Sequence, residues 1–327
     1  PEQLRFTKRP DDIYILNSLK EFIQKIAREG YSIGSFCLHG AEPAMMRPES
    51  IGQAINLVIN HWDNNGCAGR GVAMQTNGVR LTPEYLTIIT NEIPDKKYFR
   101  PGFSIDPPRA VHDFLRNNSW AKAVNNYEAA LDMGFPASVL SVVSSMTIEH
   151  KNEFADWMEK QIDRSKRFGN PYRVKIKLAT GELAPREDQQ LELAQLLLER
   201  GLAGLVQMLS PGYCLSAGNE CEWYEFDSCG GCYSCNKTFM PGRSFADWRS
   251  DSFGEIIALR KSLYINELTH PDCGDCDYEI ICNSGCPADR YQTGAMAGKA
   301  HECTMIKYIL DEIQKDGTHL ADFINNN

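Results

Sequence analysis

A run of cysteines near the carboxyl end is the feature that most constrains this sequence of 327 residues. Four thiols follow one another with the spacing C-x2-C-x5-C-x3-C, and a fifth follows further on. One CxxC pair is weak evidence for a metal site, whereas four closely spaced cysteines and a trailing fifth are strong evidence for bound metal. The run consists of Cys273, Cys276, Cys282, Cys286 and Cys303.

The composition is that of a globular protein, with 43% hydrophobic and 24% charged residues. Its net charge of -9 argues against general binding to nucleic acid or to an anionic membrane. We find no signal peptide and no apolar run that could span a bilayer, so we predict a cytoplasmic protein. In that compartment cysteines are more often metal ligands or redox groups than disulfides. Ten of the twelve cysteines lie between positions 214 and 303.

The sequence before this region alternates between helical and strand-like apolar patterns. Helices are predicted at about 11–30, 48–64, 82–91, 120–133, 151–164 and 186–200, and strands at 33–38, 71–75, 102–105, 137–143 and 173–178. Such alternation predicts a parallel sheet with both faces covered. The chain opens with a helix, so we expect a leading strand to be missing from the sequence. No GxGxxG or P-loop motif opens any helix, which argues against a dinucleotide or nucleoside triphosphate site.

Distinctive motifs follow three predicted strands: HGAEP at 39–43, QTNG at 75–78 and SIDPP at 104–108. The carboxyl ends of parallel strands line the active edge of such folds. Each motif alone is more commonly structural: Glu42 could only cap a turn, and Asn77-Gly78 is a common turn dipeptide. Three of them at the ends of successive strands favour a functional site.

These features together resemble the radical S-adenosylmethionine (radical SAM) enzymes that carry a C-terminal SPASM domain, relatives of the anaerobic sulfatase-maturing enzymes. HGAEP looks like the GGEP motif of that family with Ala41 in place of glycine, and QTNG and SIDPP match motifs after its third and fourth strands. The resemblance implies an α/β fold, a partial (β/α)6 TIM-like barrel lacking its first strand. It places this barrel at residues 1–208 and the SPASM domain, with a C-terminal helix, at residues 209–327. From its apolar pattern the last helix is predicted at about 304–322, where it packs back on the body through Ile306, Ile309, Leu310 and Ile313.

The resemblance also assigns contacts with S-adenosyl-L-methionine (SAM). The first motif and its glutamate hold the amino group, Ser104 and Asp106 reach the ribose, Arg116 lies near the carboxylate and Leu178 packs on the adenine. We expect the exchange to Ala41 to leave binding intact. The predicted cofactor-binding residues are Gly40, Ala41, Glu42, Pro43, Gln75, Asn77, Ser104, Asp106, Arg116 and Leu178.

In the family the cysteine-rich part folds around two auxiliary 4Fe-4S clusters. By resemblance, Cys214, Cys221, Cys235 and Cys286 hold the first, and Cys273, Cys276, Cys282 and Cys303 hold the second. Cys229 and Cys232 are then surplus. The family's third, catalytic 4Fe-4S cluster uses a CxxxCxxC motif after the first strand. That spacing does not occur in the chain, and we expect its segment to be absent from the sequence.

The resemblance implies a radical SAM oxidoreductase that modifies a ribosomally made peptide. In the family a 5′-deoxyadenosyl radical abstracts hydrogen from the substrate, and the product here would be an oxidative side-chain cross-link (thioether, ether or C–C). The partners implied are a precursor peptide or protein and an external one-electron reductant, and catalytic side chains stay unassigned. Asn236 stands where sulfatase-maturing members have an aspartate base, and an amide cannot take a proton at neutral pH. This disfavours the alternative of a formylglycine-forming maturase.

Two further alternatives remain open from the residues. The chain could be a non-catalytic iron–sulfur protein that transfers electrons or binds a peptide. The cysteines could also form a structural zinc module, since CxxC pairs suit tetrahedral zinc. His112 and His301 are predicted to be surface or packing residues, and the segment 222–226 is predicted to form a hairpin between cluster ligands.

Overall fold

The structure is a computed structural model that describes residues 10–66, 71–167, 174–209, 223–235, 244–264, 271–286, 299–317 and 320–325. The predicted ligands Cys214 and Cys221, and also Asn236, lie outside these ranges.

The described chain alternates helices and strands up to residue 199, as the apolar pattern predicts. Two short helices, α4 and α6, were not predicted. The elements are α1 (Asp12–Arg28), β1 (Phe36–Leu38), α2 (Pro48–Asn64), β2 (Val72–Thr76), α3 (Pro83–Glu92), β3 (Phe99–Ser104), α4 (Arg109–Leu115), α5 (Trp120–Asp132), β4 (Ser138–Val143), α6 (Ser145–Glu149), α7 (Lys151–Lys166), β5 (Val174–Leu178) and α8 (Glu187–Glu199).

Strand β1 is shorter than predicted, because helix α2 takes the backbone groups of Ile33. The Ile33 N–H donates to His61 Nε2 over 3.2 Å, and the Trp62 indole N–H donates to the Ile33 carbonyl over 2.6 Å. Because its N–H donates to His61, Ile33 cannot also donate to a neighbouring strand.

The five strands form one sheet in the order β1-β2-β3-β4-β5. The pairs β1–β2, β2–β3 and β4–β5 are parallel, with Cys37 opposite Ala73, Gln75 opposite Gly102, and Val143 opposite Leu178. Helices separate the strands along the chain, as parallel connections require. The predicted α/β class with a parallel sheet is confirmed.

The chain divides into two compact units. The first comprises Pro1–Phe103, Lys122–Ser138 and Tyr224–Leu263, and the second comprises Ser104–Ala121, Val139–Trp223 and Tyr264–Asn327. The domain boundary after residue 208 follows the sequence motifs and stays a prediction.

In the first unit, aromatic side chains pack helix α1 against a small antiparallel sheet. This sheet contains β6 (Glu225–Phe226), β7 (Gly231–Tyr233) and β8 (Ala246–Asp247), and helix α9 (Phe253–Tyr264) follows it. The Phe22 ring lies 4.6 Å from Phe226, 5.4 Å from Trp248 and 5.6 Å from Phe253, measured between centroids. A hairpin is present, but of the segment predicted at 222–226 only Glu225 and Phe226 form one of its strands, and the second strand lies at Gly231–Tyr233.

In the second unit, the short helices α10 (Pro271–Gly274) and α11 (Glu279–Cys282) precede α12 (Cys303–Lys315), which packs on α8. Its buried side chains include the four predicted to pack this helix on the body of the protein, Ile306, Ile309, Leu310 and Ile313. The single helix predicted at 304–322 is wrong in length. Gly317 adopts a φ of 75°, and a separate helix α13 (Leu320–Asn325) follows. Among the helices described, none has the length and apolar character needed to cross a bilayer.

Candidate functional site

The HGAEP motif forms a sharp turn directly after β1. Gly40 and Ala41 both have positive φ angles, 88° and 35°. Glycine adopts this left-handed region freely, whereas an L-residue with a Cβ is disfavoured there by about 1–2 kcal/mol. The exchange of glycine for Ala41 therefore keeps the turn but introduces local backbone strain.

Glu42 ties this turn to the one that follows β2. Its Oε1 accepts hydrogen bonds from the Ala44 N–H over 3.0 Å and the Thr76 hydroxyl over 2.6 Å. Its Oε2 accepts from the Asn77 N–H over 2.7 Å. Glu42 thus caps a turn, as its simplest interpretation predicts, and also joins two strand-end motifs. A carboxylate offers about four acceptor positions, so these three bonds leave one position on Oε2.

The QTNG turn is fixed by its own side chains. Asn77 Oδ1 accepts from the Val79 N–H over 2.9 Å, the local turn that asparagine favours. Gly78 has a φ of 76°, and a Cβ there would lie 2.6 Å from the Phe103 ring. A Cβ on Gly102 would lie 2.6 Å from Gln75 Oε1, so the Gln75 amide covers bare backbone on the neighbouring strand. The predicted site residues Gln75 and Asn77 therefore shape this loop.

Asp106 and Arg116 form a buried ion pair that sequence reasoning missed. Asp106 Oδ2 accepts from Arg116 Nε over 2.6 Å, and its Oδ1 accepts from the Val142 N–H over 2.8 Å. The Asp106 side chain is 3% exposed and that of Arg116 is 27% exposed. Both oxygens of Asp106 are thus engaged within the protein, although the resemblance assigns this residue to a ribose. The sequence offered no signal for the pair, because helix α4 and its cap separate the partners.

His112 connects the backbones of the same two residues. The Asp106 N–H donates to His112 Nδ1 over 3.1 Å, and His112 Nε2 lies 3.1 Å from Ser119 Oγ. The Ser119 hydroxyl donates to the Arg116 carbonyl over 2.7 Å. His112 is fully buried, and this burial lowers its pKa. His112 is thus a packing histidine, one of the two roles predicted for it. Its hydrogen bonds to Asp106 and Ser119 were not predicted.

The end of β5 is anchored by the segment that leads into α12. The buried Leu178 donates its N–H to Glu302 Oε1 over 3.3 Å, and His301 Nε2 lies 2.7 Å from the Ala179 carbonyl. These contacts hold the predicted ligand Cys303 next to the strand that carries Leu178. Ser104, at the end of β3, is partly buried.

Four of the predicted ligands line one pocket of about 390 Å³. Burial first, and then the neighbouring thiols Cys303, Cys273 and Cys276, raise the pKa of Cys282 to about 11. The four cysteines thus line the same pocket, and three of them act on the charge of the fourth. The pocket is lined by Asp272, Cys273, Asp275, Cys276, Tyr278, Glu279, Cys282, Ser284, Lys299, Ala300, Cys303, Ile306 and Lys307.

The pocket can be compared with the two kinds of metal group that the sequence left open. Four thiolates on a single zinc ion lie about 3.8 Å apart, whereas those of a cubane cluster bind separate irons and spread wider. Within the ranges that the structure describes, no three His, Cys, Asp or Glu side chains are placed to hold one metal ion. The structure thus brings Cys273, Cys276, Cys282 and Cys303 to one pocket, and the group that they hold stays a prediction.

The other predicted ligand set is described only in part. Cys286 is buried and Cys235 is partly buried, and the remaining two ligands lie outside the described residues. Of the surplus cysteines, Cys229 is exposed, and Cys232 is buried with its pKa raised to about 12 by that burial.

The parallel sheet, the strand-end motifs and the thiol-lined pocket define the class that the sequence resembles, the radical SAM enzymes with a SPASM domain. No family model matches the chain. The chain is 27% identical over 263 residues to the mycofactocin maturase MftC of Mycobacterium tuberculosis (strain CDC 1551 / Oshkosh), a match over 71% of this chain and 63% of the relative. The chain thus spans less than two thirds of that relative's length.

Two solved structures share the fold. Native anSMEcpe with bound AdoMet has a TM-score of 0.74 at 16% identity, covering 95% of this chain and 90% of that one. Streptococcus suis SuiB bound to S-adenosylmethionine has a TM-score of 0.53 at 12% identity, covering 88% and 67%. Together with the MftC relationship, these likenesses confirm the resemblance to radical SAM enzymes with a SPASM domain.

Proposed function

We propose that this chain belongs to a radical SAM maturase that forms an oxidative side-chain cross-link in a ribosomally made peptide. The observation that carries the proposal is the pocket lined by Cys273, Cys276, Cys282 and Cys303. Two comparisons support a peptide substrate: the relative is named a mycofactocin maturase, and anSMEcpe has been solved with AdoMet and a peptide bound.

The strand-end motifs are proposed to bind SAM. The backbone from Gly40 to Pro43 and the remaining acceptor position of Glu42 suit an ammonium group, which can only donate hydrogen bonds. The terminal nitrogens of Arg116 suit a carboxylate, because Nε is already held by Asp106. Ser104 is assigned to the ribose and Leu178 to the adenine, with Gln75 and Asn77 shaping the second loop. Asp106 then acts mainly by orienting Arg116.

The thiols are proposed to hold iron–sulfur clusters. Cys273, Cys276, Cys282 and Cys303 hold one auxiliary 4Fe-4S cluster, and Cys214, Cys221, Cys235 and Cys286 hold the other. When SAM and a catalytic cluster are bound, they supply a radical that takes hydrogen from unactivated carbon. In this chain burial raises the pKa of Cys303, and the positive charges of Lys299 and Lys307 offset part of that rise. An external one-electron reductant and a cytoplasmic location complete the proposal.

An oxidative cross-link is proposed over formylglycine formation because Asn236 supplies no base at the position where sulfatase-maturing members have one. The rival reading of another class is a non-catalytic iron–sulfur protein that transfers electrons or binds a peptide. It predicts clusters without turnover of SAM.

Metal analysis tests the proposal first. Iron, sulfide and zinc are measured in the native full-length protein purified without oxygen. Three clusters correspond to about twelve iron atoms per chain, and SAM cleavage with candidate precursor peptides should follow. About eight iron atoms and no cleavage would favour the non-catalytic alternative. Stoichiometric zinc with little iron would overturn both.

A matched pair of variants locates the auxiliary cluster. Cys282→Ser should lose about four iron atoms per chain, because one of four ligands is removed. Cys229→Ser changes an exposed cysteine outside both ligand sets and should retain wild-type iron. Equal iron in the two variants would contradict the assignment of the pocket.

A further inference from the structure

The structure contains a closed chain of hydrogen bonds between two residues assigned to SAM. It runs from the Asp106 N–H to His112 Nδ1, from His112 Nε2 to Ser119 Oγ, and from the Ser119 hydroxyl to the Arg116 carbonyl. The side chains of Asp106 and Arg116 meet in an ion pair of 2.6 Å. The two residues are therefore linked twice, once through their side chains and once through His112.

The direction of each bond fixes the form of His112. A backbone N–H can only donate, so Nδ1 must carry a lone pair. The neutral ring then bears its proton on Nε2, which donates to Ser119 Oγ, and the Ser119 hydroxyl donates onward. Both ring nitrogens are used once, and Ser119 Oγ both accepts and donates. The ring is fully buried beside Trp120, at 5.5 Å between centroids.

The corner that carries Arg116 needs such a restraint. Helix α4 ends at Leu115, and the next two residues after Arg116, Asn117 and Asn118, both have left-handed φ angles of 53° and 55°. The Asn118 N–H donates back to the Asp113 carbonyl over 2.9 Å. The Trp120 N–H donates to Asp113 Oδ1 over 2.8 Å. The hydrogen bonds of His112 and Asp113 thus restrain the turn at residues 116–120, which carries Arg116.

We propose that neutral His112 is a positioning residue that sets the place of Arg116 relative to the Asp106 turn, and so governs affinity for the carboxylate of SAM. The inference rests on the proposed function, which assigns Arg116 to that carboxylate. An arginine recognises a carboxylate through a rigid planar fork, so its affinity is sensitive to small displacements. His112 does not itself contact the ligand in this proposal.

Protonation of His112 is expected to disrupt the arrangement. A second ring N–H would face the Asp106 N–H, donor against donor. Burial lowers the pKa of His112, the carboxylates Asp106 and Asp113 raise it, and Arg116 lowers it. SAM affinity should therefore be full while the ring is neutral and should fall as the pH drops through the pKa of His112.

Two substitutions separate the two arms of the ring. In His112→Asn the amide oxygen replaces Nδ1 and accepts from Asp106, and nothing reaches Ser119. In His112→Gln the amide N–H reaches Ser119, and the Asp106 N–H is left unsatisfied. The matched control is His61→Asn, which removes another buried imidazole acceptor of a backbone N–H, that of Ile33.

The experiment measures SAM dissociation constants by equilibrium dialysis of the full-length, cluster-loaded protein, together with melting midpoints. His112→Gln should weaken SAM binding by about tenfold or more, while His61→Asn lowers the midpoint and binds SAM like the wild type. His112→Asn should bind more tightly than His112→Gln, and its affinity should lose the pH step of the wild type. Equal losses of affinity in His61→Asn and His112→Gln would show a general effect of destabilisation and overturn the proposal.

Hydrogen exchange provides a readout without SAM. Pro107 and Pro108 carry no N–H, so the Asp106 amide is easily isolated in a peptide that ends in this turn. It should exchange faster in His112→Gln than in the wild type. Faster exchange with unchanged SAM affinity would overturn the positioning role alone. Failure of the wild type to bind SAM would instead overturn the proposed function.

Discussion

Replacement of Glu42 by glutamine probes the joint between the first two strand-end motifs. The carboxylate accepts from Ala44, Thr76 and Asn77. An amide has one oxygen, so its NH2 group must face either the Asn77 N–H or the Ala44 N–H. One bond to a charged acceptor is lost in either orientation, and an N–H is left unsatisfied. Bonds to charged groups contribute about 1.5–3 kcal/mol, so we expect Glu42→Gln to destabilise the fold by about 2–3 kcal/mol.

The assay is urea unfolding of the protein under anaerobic conditions, followed by far-UV circular dichroism. The control is Glu49→Gln, which alters an exposed glutamate in the first turn of α2 and should change stability by less than about 0.5 kcal/mol. A double-mutant cycle with Thr76→Val should give a coupling energy of about 1 kcal/mol or more, since the two side chains are in contact. If Glu42→Gln has the same urea midpoint as the Glu49→Gln control, or if the coupling energy is zero, the hydrogen bonds of Glu42 do not hold the two loops together.

Two further predictions concern the same unit. Ala41→Gly should raise stability by about 0.5–1 kcal/mol in urea unfolding, because relief of the left-handed strain exceeds the entropy that glycine adds to the unfolded chain; a loss of stability would contradict the φ of 35° at this residue. Burial, and then Asp227, raise the pKa of Glu225 to about 7 from its ordinary 4.5. Because its pKa is raised, Glu225 binds a proton more tightly in the folded protein than in the unfolded chain. Its contribution to the free energy of unfolding is therefore complete below pH 4.5 and is lost as the pH rises to about 7. In the wild type the free energy of unfolding should decline over that interval, and Glu225→Gln should remove roughly 2 kcal/mol of this decline. A pH profile of the unfolding midpoint that is the same in the two proteins would refute this.

The longer helices were predictable from their apolar period, as with α2, whose predicted and observed ranges agree. The short helices α4 and α6 were not predicted. The length of β1 was not, since it depends on contacts that the folded α2 makes with Ile33. Periodicity describes which face of an element is apolar and contains no information about side chains that capture a neighbouring backbone. For the same reason a hairpin could be predicted near β6, but the bounds and the register of its two strands could not.

The candidate site was predictable as a set of positions and not as a set of contacts. Motif order located Glu42, Asp106 and Arg116, but the bond between the last two depends on how α4 ends. The left-handed backbone at Ala41 was not predicted. Alanine disfavours that conformation, so the residue itself gives no indication that the turn requires it. His112 gave no signal at all, since a lone histidine on a short helix is most commonly a packing residue.

The contacts of His301 and Glu302 with the end of β5 make the sheet and the thiol pocket thermodynamically linked. A group that binds only the folded pocket stabilises whatever must be folded to form it, by an amount set by its concentration and affinity. Cys303 follows these two anchors directly, so occupancy of the pocket and order at the edge of β5 rise and fall together. If the proposed cluster occupies this pocket, its loss to oxygen would remove that stabilisation from the edge of β5 at Leu178.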